Sequence, residues 1–276
     1  MTRHPLLSAA LLSLLVGSPF ASALAQTIPG YVTAAINDKS RPASDMMRDT
    51  ARKPAESVAF SGIKPGDKVA DFIAGGGYFT RIFSKVVGPQ GHVYATVPGG
   101  GMMMGGATAM PMGPASGMPM ASGAAMPMMG GGAGDPLKAM AADPAYANVT
   151  VLTEPASKLV VPEPLDVVWT AQNYHDLHNP GAYHADDIAV FNKSVFDALK
   201  PGGVFLVIDY ASAPGAGFTQ TGTLHRGDPE AEKAEILKSG FVFDGESKAL
   251  ARPNDPHTMR AHEQDDQFIL RFRKPK

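Results

Sequence analysis

The sequence contains no cysteine among its 276 residues. This absence excludes disulfides, thiolate nucleophiles and cysteine-ligated metal sites. The sequence has no surplus of positive charge either, because it contains 24 Lys and Arg residues and 26 Asp and Glu residues. A formal net charge of −2 gives no electrostatic reason to expect nucleic-acid binding.

The sequence also lacks an apolar run as long as the roughly 20 residues that a membrane-spanning helix needs. Its N-terminal apolar run, Leu6 to Val16, follows the basic pair Arg3–His4 and precedes the small residues Ala23-Leu24-Ala25. This order is typical of a secretory signal peptide. We therefore expect residues 1–25 to be cleaved off after Ala25, and residues 26–276 to form a periplasmic or secreted protein without membrane contact. A retained anchor helix is the alternative.

Charged residues are missing from the internal segment 98–134, which is rich in Met, Gly, Ala and Pro. Such a composition favours a disordered insertion within the domain. Met-Pro-Met occurs at Met110–Met112, Met118–Met120 and Met126–Met128. Because soft thioethers select Cu(I), weak copper binding is one interpretation. A low-complexity expansion without function and a Met-rich partner surface are the others.

Elsewhere, short apolar runs alternate with segments of helical periodicity. The alternation predicts a mainly parallel, doubly wound α/β sheet with helices on both faces. The strands are expected at 68–72, 92–97, 148–152, 165–170, 204–209, 241–243 and 268–272. The helices are expected at 44–60 with a break at Pro54, and at 78–87, 135–145, 186–199 and 228–239. Residues 26–43 are predicted to be extended.

The most informative stretch runs from Val69 to Thr80, where an apolar strand ends at Asp71, passes through Gly75-Gly76-Gly77 and enters a helical segment. Glycines allow a ligand to approach the backbone where a Cβ would collide with it. The start of the following helix offers free N–H groups and the positive end of its dipole. The segment therefore predicts a ligand site at the carboxyl end of this strand.

Four features in order resemble the class I S-adenosylmethionine-dependent methyltransferases. They are the acid and glycine loop Asp71–Gly77, the strand Asp166–Trp169, the segment Leu199–Gly203 before the next strand, and a final strand pair. The segments Asn173–Asn179, Leu224–Asp228 and Asp255–His257 are similar to an exported family of methyltransferase-like proteins. The resemblance implies a seven-stranded sheet of order 3-2-1-4-5-7-6 whose last strand is antiparallel. It also implies S-adenosylmethionine as cofactor and a small-molecule acceptor that the sequence does not identify.

Two departures from the family pattern concern the cofactor site. Ile73 stands where the first glycine of the loop is usual, and Thr96-Val97-Pro98 stand where an acid usually binds the ribose. A non-catalytic ligand-binding protein of the same fold is therefore the alternative to an enzyme. The positions that the resemblance assigns to the cofactor are Asp71, Ala74, Gly75, Gly76, Gly77, Thr96 and Asn173.

The loop after the fourth strand carries the candidate catalytic residues Tyr174, His175 and Asp176. A histidine with a pKa near neutrality could take a proton from the acceptor, and Asp176 could orient it. A hydrogen-bonded loop histidine is the structural alternative. His225 and Arg226 are candidate substrate ligands, since a guanidinium binds a carboxylate or phosphate with two parallel hydrogen bonds. For Arg226 the alternative is an ion pair with Asp228 or Glu230.

No metal site is predicted within the domain. Asp166, Asp255 and His257 are ligand-type residues, but their spacing matches no pattern of metal ligands. The function predicted from the sequence is therefore that of an exported S-adenosylmethionine-dependent methyltransferase. The alternatives are the non-catalytic binder and a copper-handling protein.

Overall fold

The computed structural model describes residues 27–99, 135–180 and 183–276. The predicted signal peptide and almost all of the Met-rich insertion lie outside these residues. Three of the inferences made from the sequence therefore stay predictions. They are export, cleavage after Ala25 and copper binding by the insertion. Of the helices in the described parts of the chain, none combines the length and hydropathy that crossing a bilayer requires.

Within the described residues, seven strands form one sheet of order β3-β2-β1-β4-β5-β7-β6. Strands β1 to β5 pair in parallel, whereas β7 pairs antiparallel with both β5 and β6. This order confirms the predicted fold class. The strands are β1 Lys68–Phe72, β2 His92–Pro98, β3 Val149–Glu154, β4 Leu165–Ala171, β5 Leu199–Tyr210, β6 Val242–Ser247 and β7 Gln267–Arg273.

Helices cover both faces of the sheet, and each face has its own apolar cluster. In β4, Val167 and Trp169 belong to one cluster and Val168 to the other, because successive strand residues point to opposite faces. The described helices are α1 Gly30–Ile36, α2 Ala43–Met46, α3 Asp49–Arg52, α4 Pro54–Ser61, α5 Tyr78–Val87, α6 Asp135–Ala141, α7 Ile188–Ala198, α8 Thr221–Leu224 and α9 Pro229–Leu237.

Helix α5 shows why the sequence folds this way next to the site. Its residues Phe79, Ile82, Phe83 and Val86 are spaced to form one helical face, and all four are buried in the first cluster. Gly77 precedes the helix with φ of 82°, a left-handed conformation that glycine adopts without steric cost. The helix therefore begins directly at the end of the glycine loop.

At two places the structure changes the type of element that the sequence predicted. The segment expected to be extended contains α1, whose Val32 and Ala35 lie three residues apart on one helical face and are buried. Strand β5 begins at Leu199 and not at Val204. The Pro-Gly-Gly sequence here continues into the sheet, because Gly202 and Gly203 exchange backbone hydrogen bonds with Lys274 beside β7.

Candidate functional site

The carboxyl ends of β1, β4 and β5 lie side by side, since these strands are neighbours in the sheet. The strand order reverses between β1 and β4, and open α/β sheets bind their ligands at this kind of switch point. Two groups of residues meet at this edge. We call Ile73–Gly77 the glycine loop, and His175, Asp176 and His225 the histidine cluster.

The glycine loop is hydrogen-bonded to strand β2 and to the segment that follows β4. The N–H of Ile73 donates to Oγ1 of Thr96 at 3.0 Å, and the N–H of Ala74 donates to the Thr96 carbonyl at 3.0 Å. On the other side, Nδ2 of Asn173 donates to the Ile73 carbonyl at 3.2 Å. Thr96 and Asn173, both predicted as cofactor ligands, thus hold the loop in position. Direct contact of either residue with a cofactor stays a prediction.

Ile73 adopts a left-handed conformation with φ of 55°. For a β-branched residue this region is an outlier that costs about 1–3 kcal/mol. The departure from the family pattern that the sequence showed at Ile73 is thus also a point of backbone strain. The branched side chain of Ile73 occupies space that a glycine at this position would leave free.

The remaining loop residues are open to a ligand. Ala74, Gly75 and Gly76 line a cavity of about 190 Å³. A Cβ added to Gly76 would meet no atom within 4 Å, so this side of the loop is free space. Gly77 is different, because a Cβ there would lie 2.7 Å from Cδ1 of Leu137 in α6. Gly77 thus serves close packing as well as the turn.

Two arginines that sequence reasoning missed line the same cavity. Arg48 and Arg52 come from the region of α3 and both pair with Glu263, with Nη2 of Arg48 2.5 Å from Oε1 of that residue. Arg52 also donates to Oε1 of Gln172 at 2.7 Å and lies 4.7 Å from the ring centre of Tyr78. Two guanidinium groups sharing one carboxylate leave a positive excess, which suits a ligand carboxylate.

Asp71 lies at the inner wall of the cavity and is buried. Burial raises the pKa of its carboxyl to about 7, against the opposing effects of a hydrogen bond from Thr80 and the charge of Arg52. Oγ1 of Thr80 donates to Oδ2 of Asp71 at 2.5 Å. The carboxyl is thereby tied to α5, the helix that follows the loop.

The histidine cluster unites two distant segments. His175 and Asp176 begin a short 3-10 helix, His175–His178, which three residues separate from the end of β4, whereas His225 follows α8. Nε2 of His175 lies 3.3 Å from Oδ1 of Asp176 and 3.3 Å from Nδ1 of His225. Nδ1 of His225 lies 3.1 Å from the same Oδ1. His175 is buried and the other two side chains are partly exposed.

Two buried carboxyl groups lie behind this cluster, and sequence reasoning missed both. Asp209, near the end of β5, accepts the backbone N–H of His175 and pairs with its Nδ1, each at 2.7 Å. Burial raises the pKa of Glu232 well above its usual range, and the negative charge of Asp209 raises it further. The sequence carried one signal for Asp209. It is an acid near the end of an apolar strand, as Asp71 is in β1.

The electrostatics distinguish the two histidines. Burial lowers the pKa of His175, but Asp209 and Asp176 outweigh burial and raise that pKa to about 10. Burial lowers the pKa of His225, and Arg260 and His175 lower it further against the opposing effect of Asp176. Without a metal, His175 is therefore a cation at neutral pH, so the base role predicted for it fits the neutral His225 better.

Tyr174, predicted to be catalytic, and Arg226, predicted to bind the substrate, direct their polar groups to other partners. The hydroxyl of Tyr174, which is buried in the second apolar cluster, donates to Oε2 of Glu235 at 2.9 Å and accepts Nδ2 of Asn192 at 2.8 Å. Arg226 is completely buried and its guanidinium contacts Asp255 at 2.9 Å and Asp265 at 3.2 Å. Its ion pairs thus involve other acids than those predicted, and in this conformation none of its surface reaches a substrate.

The three ligand-type residues considered from the sequence do not come together. Asp166 is the second residue of β4, at the amino edge of the sheet, and pairs with Lys200 at 2.8 Å. Asp255 contacts Arg226 beside the carboxyl end of β5, and Nε2 of His257 lies 3.0 Å from Asp266. The metal-ligand grouping that the described residues do contain is the histidine cluster, in which all three ligand atoms lie within 4.8 Å of one another.

Comparison with solved structures gives matches over most of the chain. A chain of the complex between the Haloferax volcanii Trm112 methyltransferase activator and its proposed methyltransferase has a TM-score of 0.52 and 13% identity, covering 90% of this chain and 98% of that one. An S-adenosylmethionine-dependent methyltransferase from Mesorhizobium loti has a TM-score of 0.49 and 16% identity, covering 81% and 98%. One from Aquifex aeolicus has a TM-score of 0.48 and 16% identity, covering 82% and 97%.

No protein-family model and no curated protein sequence matches this chain. At identities this low, structural similarity shows the fold and not the reaction. The chain therefore shares the fold of a chain in the Haloferax volcanii complex of a methyltransferase activator and its proposed methyltransferase. The other two structures named here are S-adenosylmethionine-dependent methyltransferases.

Proposed function

We propose that this protein is an S-adenosylmethionine-dependent methyltransferase that acts on a small molecule outside the cytoplasm. One observation carries the proposal: an open, charged cavity lies under the glycine loop, at the switch point of a sheet with the class I order. A fold alone would not support an activity, but an opening at this position supplies a site for part of a ligand.

The contents of the cavity fit the amino-acid end of the cofactor. Arg48 and Arg52 provide donors for a carboxylate, and Asp71, which lines the same cavity, provides a partner for an ammonium group. At about 190 Å³ the cavity is smaller than the roughly 300–1,000 Å³ of pockets that hold a whole ligand. The adenosine part would therefore extend outward along the exposed glycines Gly75 and Gly76.

In the reaction, the cofactor supplies an electrophilic methyl group on a sulfonium. The protein contributes chiefly by positioning, which can account for a large part of the barrier lowering in a two-substrate reaction. The histidine cluster follows β4, the strand next to the loop, and so borders the place of the acceptor. There the neutral imidazole of His225 can take the acceptor proton, while the cationic His175 stays paired with Asp209.

A thermal-shift experiment with a matched pair of variants tests the cofactor site. Gly76→Val adds a side chain to the cavity wall at a position whose Cβ meets nothing. Gly30→Val makes the same change in open space at the start of α1, far along the chain from the loop. S-adenosylhomocysteine should raise the melting temperature of the wild type and of Gly30→Val but not of Gly76→Val. Equal shifts in all three proteins, or none in the wild type, would contradict the proposal.

A non-catalytic ligand-binding protein is the second candidate, and the strained Ile73 favours it. A β-branched side chain at the first loop position, together with the absence of an acid at the end of β2, removes two features that the resemblance implies for cofactor binding. Prolonged incubation with S-adenosylmethionine and small-molecule extracts distinguishes the candidates. An enzyme forms S-adenosylhomocysteine in proportion to its concentration, whereas a binder returns the ligand unchanged.

Export is part of the proposal and rests on residues 1–25. The intact mass of the protein, recovered from the periplasm of an expressing bacterium, should correspond to a chain that begins at Gln26. Recovery of the full chain in the cytoplasm alone would remove this part and leave the cofactor site unaffected.

A further inference from the structure

We propose that His175, Asp176 and His225 bind a divalent transition-metal ion of the Zn²⁺ type. The three side chains contribute two ring nitrogens and one carboxylate oxygen, and their ligand atoms already form a nearly equilateral triangle with sides of 3.1 to 3.3 Å. Among the described residues, these three form the group whose ligand atoms lie close enough together to hold one metal ion.

The size of the triangle matches one face of a tetrahedral ion. Zinc lies about 2.0–2.1 Å from nitrogen and about 2.0–2.2 Å from carboxylate oxygen. An ion about 2.1 Å from each of the three atoms would lie about 1 Å out of their plane, with ligand–metal–ligand angles of about 100°. The side chains would need little movement to receive it.

The surroundings hold the ligands in this arrangement. Asp209 pairs with Nδ1 of His175 at 2.7 Å, and since a carboxylate only accepts, Nδ1 keeps its proton. A metal ion that displaces the second proton of the cationic ring binds the lone pair of Nε2. A carboxylate on the far nitrogen is the usual support of a metal-binding histidine. Nδ2 of Asn179 donates to Oδ1 of Asp176 at 3.1 Å and to the carbonyl of Thr221 at 3.1 Å, which ties the 3-10 helix to α8.

The donor set indicates which ions fit. Two imidazoles exclude Mg²⁺ and Ca²⁺ as the preferred occupants, because these ions take oxygen ligands. Two histidines and one carboxylate with an open position form the ligand set of catalytic zinc sites and of some iron(II) sites. Asp176 and His225 are partly exposed, so a further ligand can reach the ion from solvent. If the proposed function holds, that ligand is an oxygen or sulfur of the acceptor, and the cluster then works as a Lewis acid in place of an imidazole base.

Zinc binding to the purified full chain tests the site without any cofactor. After treatment with a chelator and dialysis, the wild type should take up one Zn²⁺ per chain in competition with a chromophoric chelator. Co²⁺ should give the visible absorption of a tetrahedral site. His225→Ala should weaken Zn²⁺ binding by at least about 100-fold, and Asp209→Asn by about 10–100-fold.

His262→Ala is the matched control, because His262 is an exposed histidine outside the cluster. It should bind Zn²⁺ as the wild type does. The melting temperature of each metal-free variant verifies folding, and His225 is exposed enough for its replacement to be tolerated. Equal Zn²⁺ affinity in the wild type and His225→Ala would overturn the proposal. Since no cofactor is present, this result is independent of whether S-adenosylmethionine binds.

Discussion

The two halves of the carboxyl edge are built by different means. On the β1 side, the glycine loop is shaped by backbone conformation, and its main chain is fixed by uncharged hydrogen bonds with the side chains of Thr96 and Asn173. On the β4 and β5 side, the histidine cluster is held by the buried carboxylate of Asp209. The first half depends on backbone conformations that few residue types adopt. The second half depends on a buried ion pair whose two partners stabilise each other.

This difference has consequences for stability. A loop whose main chain is fixed by uncharged hydrogen bonds tolerates changes of its own side chains that keep its dihedral angles. A buried charge tolerates no loss of its partner, because the remaining charge is left in a medium of low polarity. Replacements in the second half should therefore cost more folding free energy than replacements in the first, and three variants test this in order of decreasing effect.

The largest effect is expected for Asp209→Ala. The change leaves the cationic His175 and its backbone N–H without their carboxylate, and should lower the free energy of unfolding by about 3–5 kcal/mol. Urea denaturation at pH 7 with a chelator present measures it. Asp197→Ala is the control, since it removes an exposed carboxylate paired with Lys193 and should change stability by about 0.5 kcal/mol or less. Similar losses in both variants would contradict the distinction between the halves.

An intermediate effect is expected from the ionisation of Asp71. Its pKa is about 7 in the folded protein and near 3.8 in the unfolded chain, so between these values the folded state holds more protons. The folded state therefore loses stability as pH rises from about 4 to about 7, and Asp71→Asn removes this loss. The stability of the wild type relative to the variant should fall by roughly 2 kcal/mol or more between pH 4.5 and pH 8. A constant difference across this range would show that Asp71 is ionised normally.

The smallest effect is expected for Ile73→Gly. Relief of the left-handed strain, about 1–3 kcal/mol, is offset by the loss of a partly buried side chain, so stability should change little. Affinity for S-adenosylhomocysteine should rise about tenfold, because the loop gains room. Ile73→Ala retains the strain of a Cβ but removes the branch. If titration calorimetry gives equal affinities for the wild type and both variants, Ile73 does not restrict the cofactor.

The sequence predicted the β1 half of the site more fully than the other. Strand Lys68–Phe72 and helix Tyr78–Val87 were predicted with the bounds that the structure shows. Local signals determine both: an apolar run, three glycines and a regular helical face. The sheet order was also predicted correctly. It was taken from the resemblance, because the matching features follow one another along this chain in the order that the family has.

The histidine cluster could be predicted only in part. His175 and His225 were singled out separately, but they lie 50 positions apart and no spacing rule brings them together. Asp209 lies 34 positions from His175, and its role follows from the pairing of β4 with β5. Helix α8 has four residues, too few for a periodic pattern, so the element that places His225 left no signal.

A crystal structure of the full chain grown with S-adenosylhomocysteine is the most direct test of the central claim. The claim predicts that the amino-acid end of the ligand lies in the cavity between Asp71, Arg52 and Gly76, with its carboxylate on an arginine. Crystals grown at millimolar ligand in which this cavity is unchanged and holds no ligand would contradict it.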